Sequence, residues 1–321
     1  MPLVESKYKN RPWYFFNRHF ETIIPSITNA SVKVHYQRER LELDDGDFLD
    51  LDWIKNGHSR LIILSHGLEG SSSRHYIRRP ARFFSEKGWD ILAWNNRSCS
   101  GEMNRLPRFY HHGATEDLGA VIDHALRQKY QQIVLIGFSM GAGMQQKYLG
   151  ERRVASEIAG AISFSAPCDL HGSLQALKEG FSAYYERRFV RKIKEKILRK
   201  AEVLDMDVGG LEAVKSFAEL DTAHTLRVFK GFKNATDFYT KISSYQFLKR
   251  IQVPLLIVNA ANDPMLSGLC YPSDIAEQQD NVFLEVPSKG GHVGFYLPND
   301  RYSYMEYAAE EFIETTILPS L

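Results

Sequence analysis

"QQIVLIGFSMGAG", residues 131–143, is the stretch on which the fold turns. Ile133 to Ile136 form an apolar run without alternation, as in a strand covered on both faces. Gly137, Ser139 and Gly141 then meet the pattern Gly-x-Ser-x-Gly, and a helix-like stretch, "GAGMQQKYLGERR", follows. A strand that feeds a helix through a serine flanked by small residues is the setting of a nucleophile elbow, where the turn closes tightly and the hydroxyl stands clear. At an average glycine frequency of about 7%, the pattern alone arises by chance in about one chain in ten. Its neighbours therefore carry the reading.

Working outward, "RLIILSHG", "WDILAWNN", "AGAISFSAP", "VPLLIVNA" and "NVFLEVP" share the same short apolar texture. Helix-like stretches such as "RHYIRRPARFFSEKG" and "TEDLGAVIDHALRQKY" separate most of them, and "RYSYMEYAAEEFIETTIL" closes the chain's helical pattern. Thr115, Glu116 and Asp117 supply an N-terminal helix signal. This alternation predicts an α/β protein with a mostly parallel, doubly wound sheet. Upstream, "SVKVHYQRERLEL" and "DFLDLDWI" alternate apolar and polar residues around the turn "DDGD", which predicts an antiparallel hairpin with Leu49, Leu51 and Trp53 on one face. The interval from Pro167 to Val253, about 87 residues, is too long for one crossover. It is helical in texture and reads as a cap, at about 167–253, inserted over the C-terminal edge of the sheet of a single domain spanning 1–321.

Serine hydroxyls are poor nucleophiles at neutral pH, so Ser139 needs a base oriented by a third group. In this fold class the chain order is serine, acid, histidine. Asp263 follows the strand in "LLIVNAANDP", and His292 follows the next in "VFLEVPSKGGHVGF". Both fall on strand-end loops, on the side where open α/β sheets bind ligands. Asp169, in "SAPCDL", is the second candidate for the acid. Acyl transfer also needs donors for the developing oxyanion. The backbone N–H of Met140 is one candidate; Leu68, in "SHGLEGSS" after an early strand, offers the other.

Composition sets the outer limits. The 321 residues are 44% hydrophobic and 25% charged, with a net charge of +1, which does not point to nucleic acid. Cys99, Cys168 and Cys270 form no disulfide framework or zinc pattern and suit a reducing compartment. The opening "MPLVESKYKNRPWYFFNRHF" is too polar and aromatic for a signal-peptide apolar region, and no apolar run is long enough for a membrane span. A soluble cytoplasmic chain is expected, with Trp13, Tyr14, Phe15 and Phe16 packed against its body. No metal or cofactor is expected: His111 and His112 lack further ligand spacing, and "HGLEGS" is no dinucleotide fingerprint. His112 and Asp117 have an H-x4-D spacing, but a loop histidine and a first-turn helix acid account for them. In the basic segment 184–200, Tyr185, Phe189, Ile193 and Ile197 recur every four residues among arginines and lysines. This reads as a helix with one buried stripe and a solvated basic face; docking to anionic membrane surfaces or to acidic substrates is the alternative.

Several strings resemble the YheT-like branch of the α/β-hydrolases, the type 4 group of that superfamily. They are "NRHFETIIP" (17–25), "DGDFLDLDW" (45–53), "SHGLEGSSSRHYI" (65–77), "NRSCSGEMNRLPRFYHHGATEDL" (96–118), "GFSMGAG", "IQVPLLIVNAANDPM" (251–265) and "GGHVGF" (290–295). Together they span essentially the whole chain. The resemblance implies a capped α/β-hydrolase fold and a Ser–Asp–His triad on Ser139, Asp263 and His292. Relatives include bacterial hydrolases and eukaryotic lipid esterases and phospholipases. Two departures stand out: "SCSG" follows Arg97 in place of Gly-Cys-Ser-Gly, and the elbow continues Met-Gly-Ala-Gly in place of Leu-Gly-Gly-Asn. The expected activity is hydrolysis of carboxylic esters, with lipid or medium- to long-chain acyl esters among the substrates. Acyl transfer to a non-water acceptor through the same acyl-enzyme, and a non-catalytic lipid-binding role, are the alternatives.

Overall fold

The computed structural model describes residues 2–9, 12, 14–28 and 32–320. Among the described residues nine strands form one sheet: β1 (Leu3–Val4), β2 (Gln37–Glu42), β3 (Phe48–Ile54), β4 (Arg60–Ser65), β5 (Asp90–Asn95), β6 (Gln132–Phe138), β7 (Ile158–Phe164), β8 (Leu255–Val258) and β9 (Val282–Glu285). Their order is β1-β9-β8-β7-β6-β4-β5-β3-β2. Only β3 runs antiparallel to its neighbours, pairing with β2 through the expected hairpin and with β5 on its other edge. The remaining pairs are parallel, from β5–β4 to β9–β1. β1 was not legible: two residues carry no periodicity, and pairing with β9 alone makes them a strand.

The unbroken apolar runs have a direct cause. Along β4, Leu61 and Ile63 enter the core on one face, with Leu49, Leu51 and Trp53 of β3. Ile62 and Leu64 enter the core on the other. Each face is covered by helices, so both sets of alternate side chains are buried and no polar residue interrupts them. The helices that flank the site are α1 (Arg18–Thr28), α2 (His75–Ser85), α3 (Thr115–Arg127) and α4 (Met140–Glu151). Thr115 does not cap α3: the N-cap is Ala114, and the Thr115 hydroxyl donates to Glu151.

Between β7 and β8 the chain is helical, beginning with α5 (Leu170–Lys178) and α6 (Ala183–Ala201) and including Ala235–Ile242. Its own apolar cluster joins Leu177, Tyr185, Val190, Ile197, Phe217 and Leu220 to Phe109 and Met265 of the sheet-end loops. The basic face of α6 departs from expectation. Arg187, Arg188, Arg191 and Arg199 are exposed, but Lys196 and Lys200 are buried. Lys196 Nζ lies 2.7 Å from Glu69 Oε1, and Lys200 Nζ donates to Asn104 Oδ1 at 2.5 Å. Charged heads that find partners below the helix cease to be a solvated face. The aromatic opening is likewise divided. Phe15 is buried against Tyr296, with ring centres 5.6 Å apart, whereas Tyr14 and Phe16 are exposed and Trp13 lies outside the described residues. Among the described residues no helix is long and apolar enough to cross a membrane.

Candidate active site

β6 delivers Ser139 into a sharp turn. Its φ of 53° and ψ of −120° put a non-glycine residue in sparsely populated space, which costs on the order of 1–3 kcal/mol and persists only where the surroundings enforce it. They do so here by close approach. A Cβ on Gly137 would lie 2.7 Å from Ala142 Cα, and one on Gly141 would collide with the Ser65 carbonyl oxygen. Gly143 is different: a Cβ there would make ordinary contacts, at 3.7 Å or beyond, with Pro167, so no crowding demands glycine.

The strand-end loops bring the three expected side chains together. His292 Nε2 lies 2.9 Å from Ser139 Oγ, and His292 Nδ1 lies 2.8 Å from Asp263 Oδ2. These partners assign the proton to Nδ1, leaving Nε2 to accept from the serine hydroxyl. Asp263 is buried, and its other oxygen accepts the Met265 N–H at 2.8 Å. Asp169 is elsewhere employed, capping α5 by accepting from the His171 and Gly172 amides.

Residues that sequence reasoning passed over hold the His292 loop. Glu21 of α1 accepts the Gly290 N–H at 2.7 Å and the Asn262 side-chain amide at 2.8 Å. Thr22 Oγ1 accepts the His292 N–H at 3.0 Å, and Asn262 Oδ1 accepts the Gly291 N–H at 3.1 Å. Ser165 Oγ accepts the N–H of Val293, whose φ is 53°. Glu21 and Thr22 sit inside "NRHFETIIP", so the family-like string held the signal although no spacing argument reached it.

The loop after β4 crosses close above the elbow; a Cβ on Gly67 would lie 3.0 Å from Ser139 Cβ. Buried His66 fixes this loop: Nδ1–H donates to the Gly67 carbonyl at 2.7 Å, and Nε2 accepts the Asn96 N–H at 3.1 Å. Burial lowers its pKa to about 4, so the ring is neutral at neutral pH. Tyr110 Oη accepts the Glu69 N–H at 2.9 Å and donates to Glu69 Oε1 at 2.7 Å. Among the described residues, the amides of Leu68 and Met140 have no protein acceptor. The Met140 amide also opens the N-terminus of α4, where the helix dipole favours negative charge.

Two cavities meet at Ser139. One, about 920 Å³ of empty space with its open mouth included, is walled by Leu174, Leu177, Phe217, Leu220, Phe238 and Ile242 among others. His111 and His112 also line it; burial pulls their pKa values to about 3 and about 4, so neither charges the wall at neutral pH. The H-x4-D pair does not act together, because Asp117 is a buried bidentate partner of Arg97 at 2.7 and 2.8 Å. Asp117 is thus more than a first-turn helix acid. The second cavity, beside the loop after β4, is lined by Ile23 of α1, Arg74, and Tyr185, Arg188 and Lys192 of α6.

Residues 60–298 match the family model described as the alpha/beta hydrolase fold. The chain is 31% identical to YheT of Escherichia coli (strain K12) over 290 residues, covering 88% of this chain and 85% of that protein. It is 27% identical to "Phospholipase ABHD3" of Homo sapiens over 332 residues, covering 98% and 80%. Among solved structures, the esterase Pf2001 of Pyrococcus furiosus superposes with a TM-score of 0.59 at 19% identity, covering 97% of this chain and 98% of that one. A nine-stranded, mostly parallel sheet with helices on both faces, matched along most of its length, makes this chain a member of the α/β-hydrolase family.

Proposed function

We propose that the chain is a serine hydrolase of carboxylic esters that works through an acyl-enzyme. The observation that carries this reading is the continuous hydrogen-bonded line from Ser139 Oγ through His292 to Asp263, ending at a cavity beside two unused amides. Ser139 Oγ attacks the acyl carbon while His292 Nε2 takes its proton. The carbonyl oxygen becomes an oxyanion held by the Leu68 and Met140 N–H groups. Asp263 orients His292 and stabilises the imidazolium. As the tetrahedral intermediate collapses, the C–O bond breaks and His292 gives the proton to the leaving alcohol. Water, deprotonated by His292, then attacks the acyl carbon and releases the acid and free Ser139.

The apolar cavity supports a medium or long acyl chain, and the phospholipase among the relatives is consistent with such a substrate. In this reading the helical segment from 167 to 253 acts as a cap, since α5 and α6 supply walls of that cavity. A fluorophosphonate probe should label folded protein, with the adduct mapped by mass spectrometry to Ser139. A panel of esters graded by acyl length should show turnover rising from acetate to medium chains. Folded protein that neither labels nor cleaves any ester in the panel would remove this reading.

A further inference from the structure

The two cavities at Ser139 differ in chemistry. The first is walled mainly by aliphatic and aromatic groups, and its one carboxylate among the described residues, Asp221, is held by the Tyr239 and Thr225 hydroxyls. The second carries three cations, Arg74 beside the loop after β4 and Arg188 and Lys192 on α6. Successive turns of α6 bring Arg188 and Lys192 to one side of the helix, four residues apart. Among the described residues none of the three forms an ion pair. Arg74 donates only to a backbone carbonyl, that of Glu69, at 2.9 Å. Among the described residues Glu69 is the lone carboxylate in that cavity wall, and its Oε1 is already engaged by Lys196 and Tyr110, each at 2.7 Å. Burial, together with Arg74 and Arg188, pulls the Lys192 pKa below its ordinary value. Arg188 is exposed and Arg74 and Lys192 are half-buried, so three cations without an ion-pair partner face a cavity that Ser139 also lines.

We infer that the second cavity binds the alcohol portion of the ester and that this portion carries a negative charge, as a phosphate monoester or carboxylate. This rests on the ester-hydrolase reading above. The assignment of sides follows from the lining. An acyl chain gains by burial in the mainly apolar cavity, which leaves the cationic cavity for the leaving alcohol; His292, the group that must protonate it, lines both. Arg188 and Lys192 meet the anion through charge-assisted hydrogen bonds. A choline phosphodiester would bring a fourth cation beside these three, so it is a poorer fit than the phosphate monoester.

The test compares monooctanoylglycerol, its phosphate monoester and its choline phosphodiester, each as monomers in solution. The phosphate monoester should exceed the neutral ester by about ten- to a hundredfold in kcat/KM, the scale of a hydrogen bond to a charged group. Arg188→Gln with Lys192→Gln should cut that ratio about tenfold, mainly through KM. Arg187→Gln with Arg191→Gln removes the same charge from exposed positions outside the cavity and should leave the ratio in place. Equal turnover of the neutral and phosphate esters overturns the inference. So does an equal loss with both pairs, which would make the effect one of net surface charge. An effect of Arg188 and Lys192 confined to substrate presented in anionic vesicles also overturns it, because those cations would then dock a bilayer. Calorimetry of the phosphate ester on Ser139→Ala separates this subsite from the chemistry. Binding weakened by the Arg188 and Lys192 changes supports the subsite even where turnover is nil, and that loss of turnover counts against the hydrolase reading alone.

Discussion

Two buried polar clusters lie at the same end of the sheet and behave in opposite ways. In one, Arg97 binds Asp117 bidentately, Asp47 at 2.7 Å and Asp45 at 2.8 Å, while Asn104 links Asp47 to Lys200. Burial opposes charge on Asp47, yet hydrogen bonds from Asn104, the Arg105 amide and Arg97 outweigh it and hold its carboxyl below the usual range. None of these side chains lines either cavity at Ser139. In the other cluster, Asp263 and His292 are bonded just as closely, but the line ends in a hydroxyl on strained backbone at a cavity wall. Burial and ion pairing are common to both. What distinguishes the second cluster is that its line ends at a hydroxyl on a cavity wall, with two amides that have no protein acceptor among the described residues.

That contrast breaks most visibly at Ser139. Ser139→Ala should lower ester kcat by about 10⁴- to 10⁶-fold, with unfolding free energy changed by less than about 1 kcal/mol. Turnover assays beside urea denaturation check both halves; retained turnover sinks the assignment, and large destabilisation sinks the contrast. The reverse pattern is expected at Arg97. Arg97→Met leaves Asp47 and Asp117 buried without their cation and should cost about 3–5 kcal/mol of stability. The fraction that remains folded should still take up the fluorophosphonate probe at Ser139. Loss of labelling in that fraction would mean that the two clusters are one functional unit.

His66 touches both regions, accepting from Asn96 next to Arg97 and donating to the loop above Ser139. Its pKa of about 4 in the fold lies below the ordinary value of 6.5. The unfolded chain therefore binds a proton more readily. The stabilisation from neutral His66 is complete above pH 6.5 and is lost as pH falls through 4, the loss reaching about 2 kcal/mol at pH 5. Between those limits, wild type should lose stability faster with falling pH than His66→Gln, by up to about 1.4 kcal/mol per pH unit. Parallel curves for the two proteins would contradict a buried neutral ring.

The smallest expected effect tests the support of the open cluster. Glu21 touches no reacting atom; it positions the His292 loop through Gly290 and Asn262. Glu21→Gln keeps one accepting oxygen and should lower kcat about tenfold, with KM nearly unchanged, as expected when a catalytic group is slightly misplaced. A change confined to KM, or to stability, would make Glu21 a structural residue only.

Much of this was legible before any coordinates. The strands on either side of Ser139 read clearly because burial on both faces removes polar residues from their runs, and the hairpin read clearly because burial on one face enforces alternation. Asp263 and His292 stand out as candidates because each follows such a strand. Asp169 follows one equally well, and no sequence rule could set it aside; its turn curls back to cap α5, whereas Asp263 lies under the His292 ring. Lys196 and Lys200 misled for a related reason. A lysine in a helical run looks solvated unless one knows that Glu69 and Asn104 wait beneath it, about 127 and 96 residues away in sequence.

By itself the sequence determined the parallel sheet, the strand–turn–helix at Ser139 and a short set of candidates for its acid and base, because each rests on local periodicity or on order along the chain. Tertiary structure alone decided what surrounds them. It set α1 against the His292 loop, brought α6 into the walls of both cavities, and gave one cavity a mainly apolar lining and the other three cations. Those features join residues from distant segments, and a contact between distant segments has no period for a linear reading to detect.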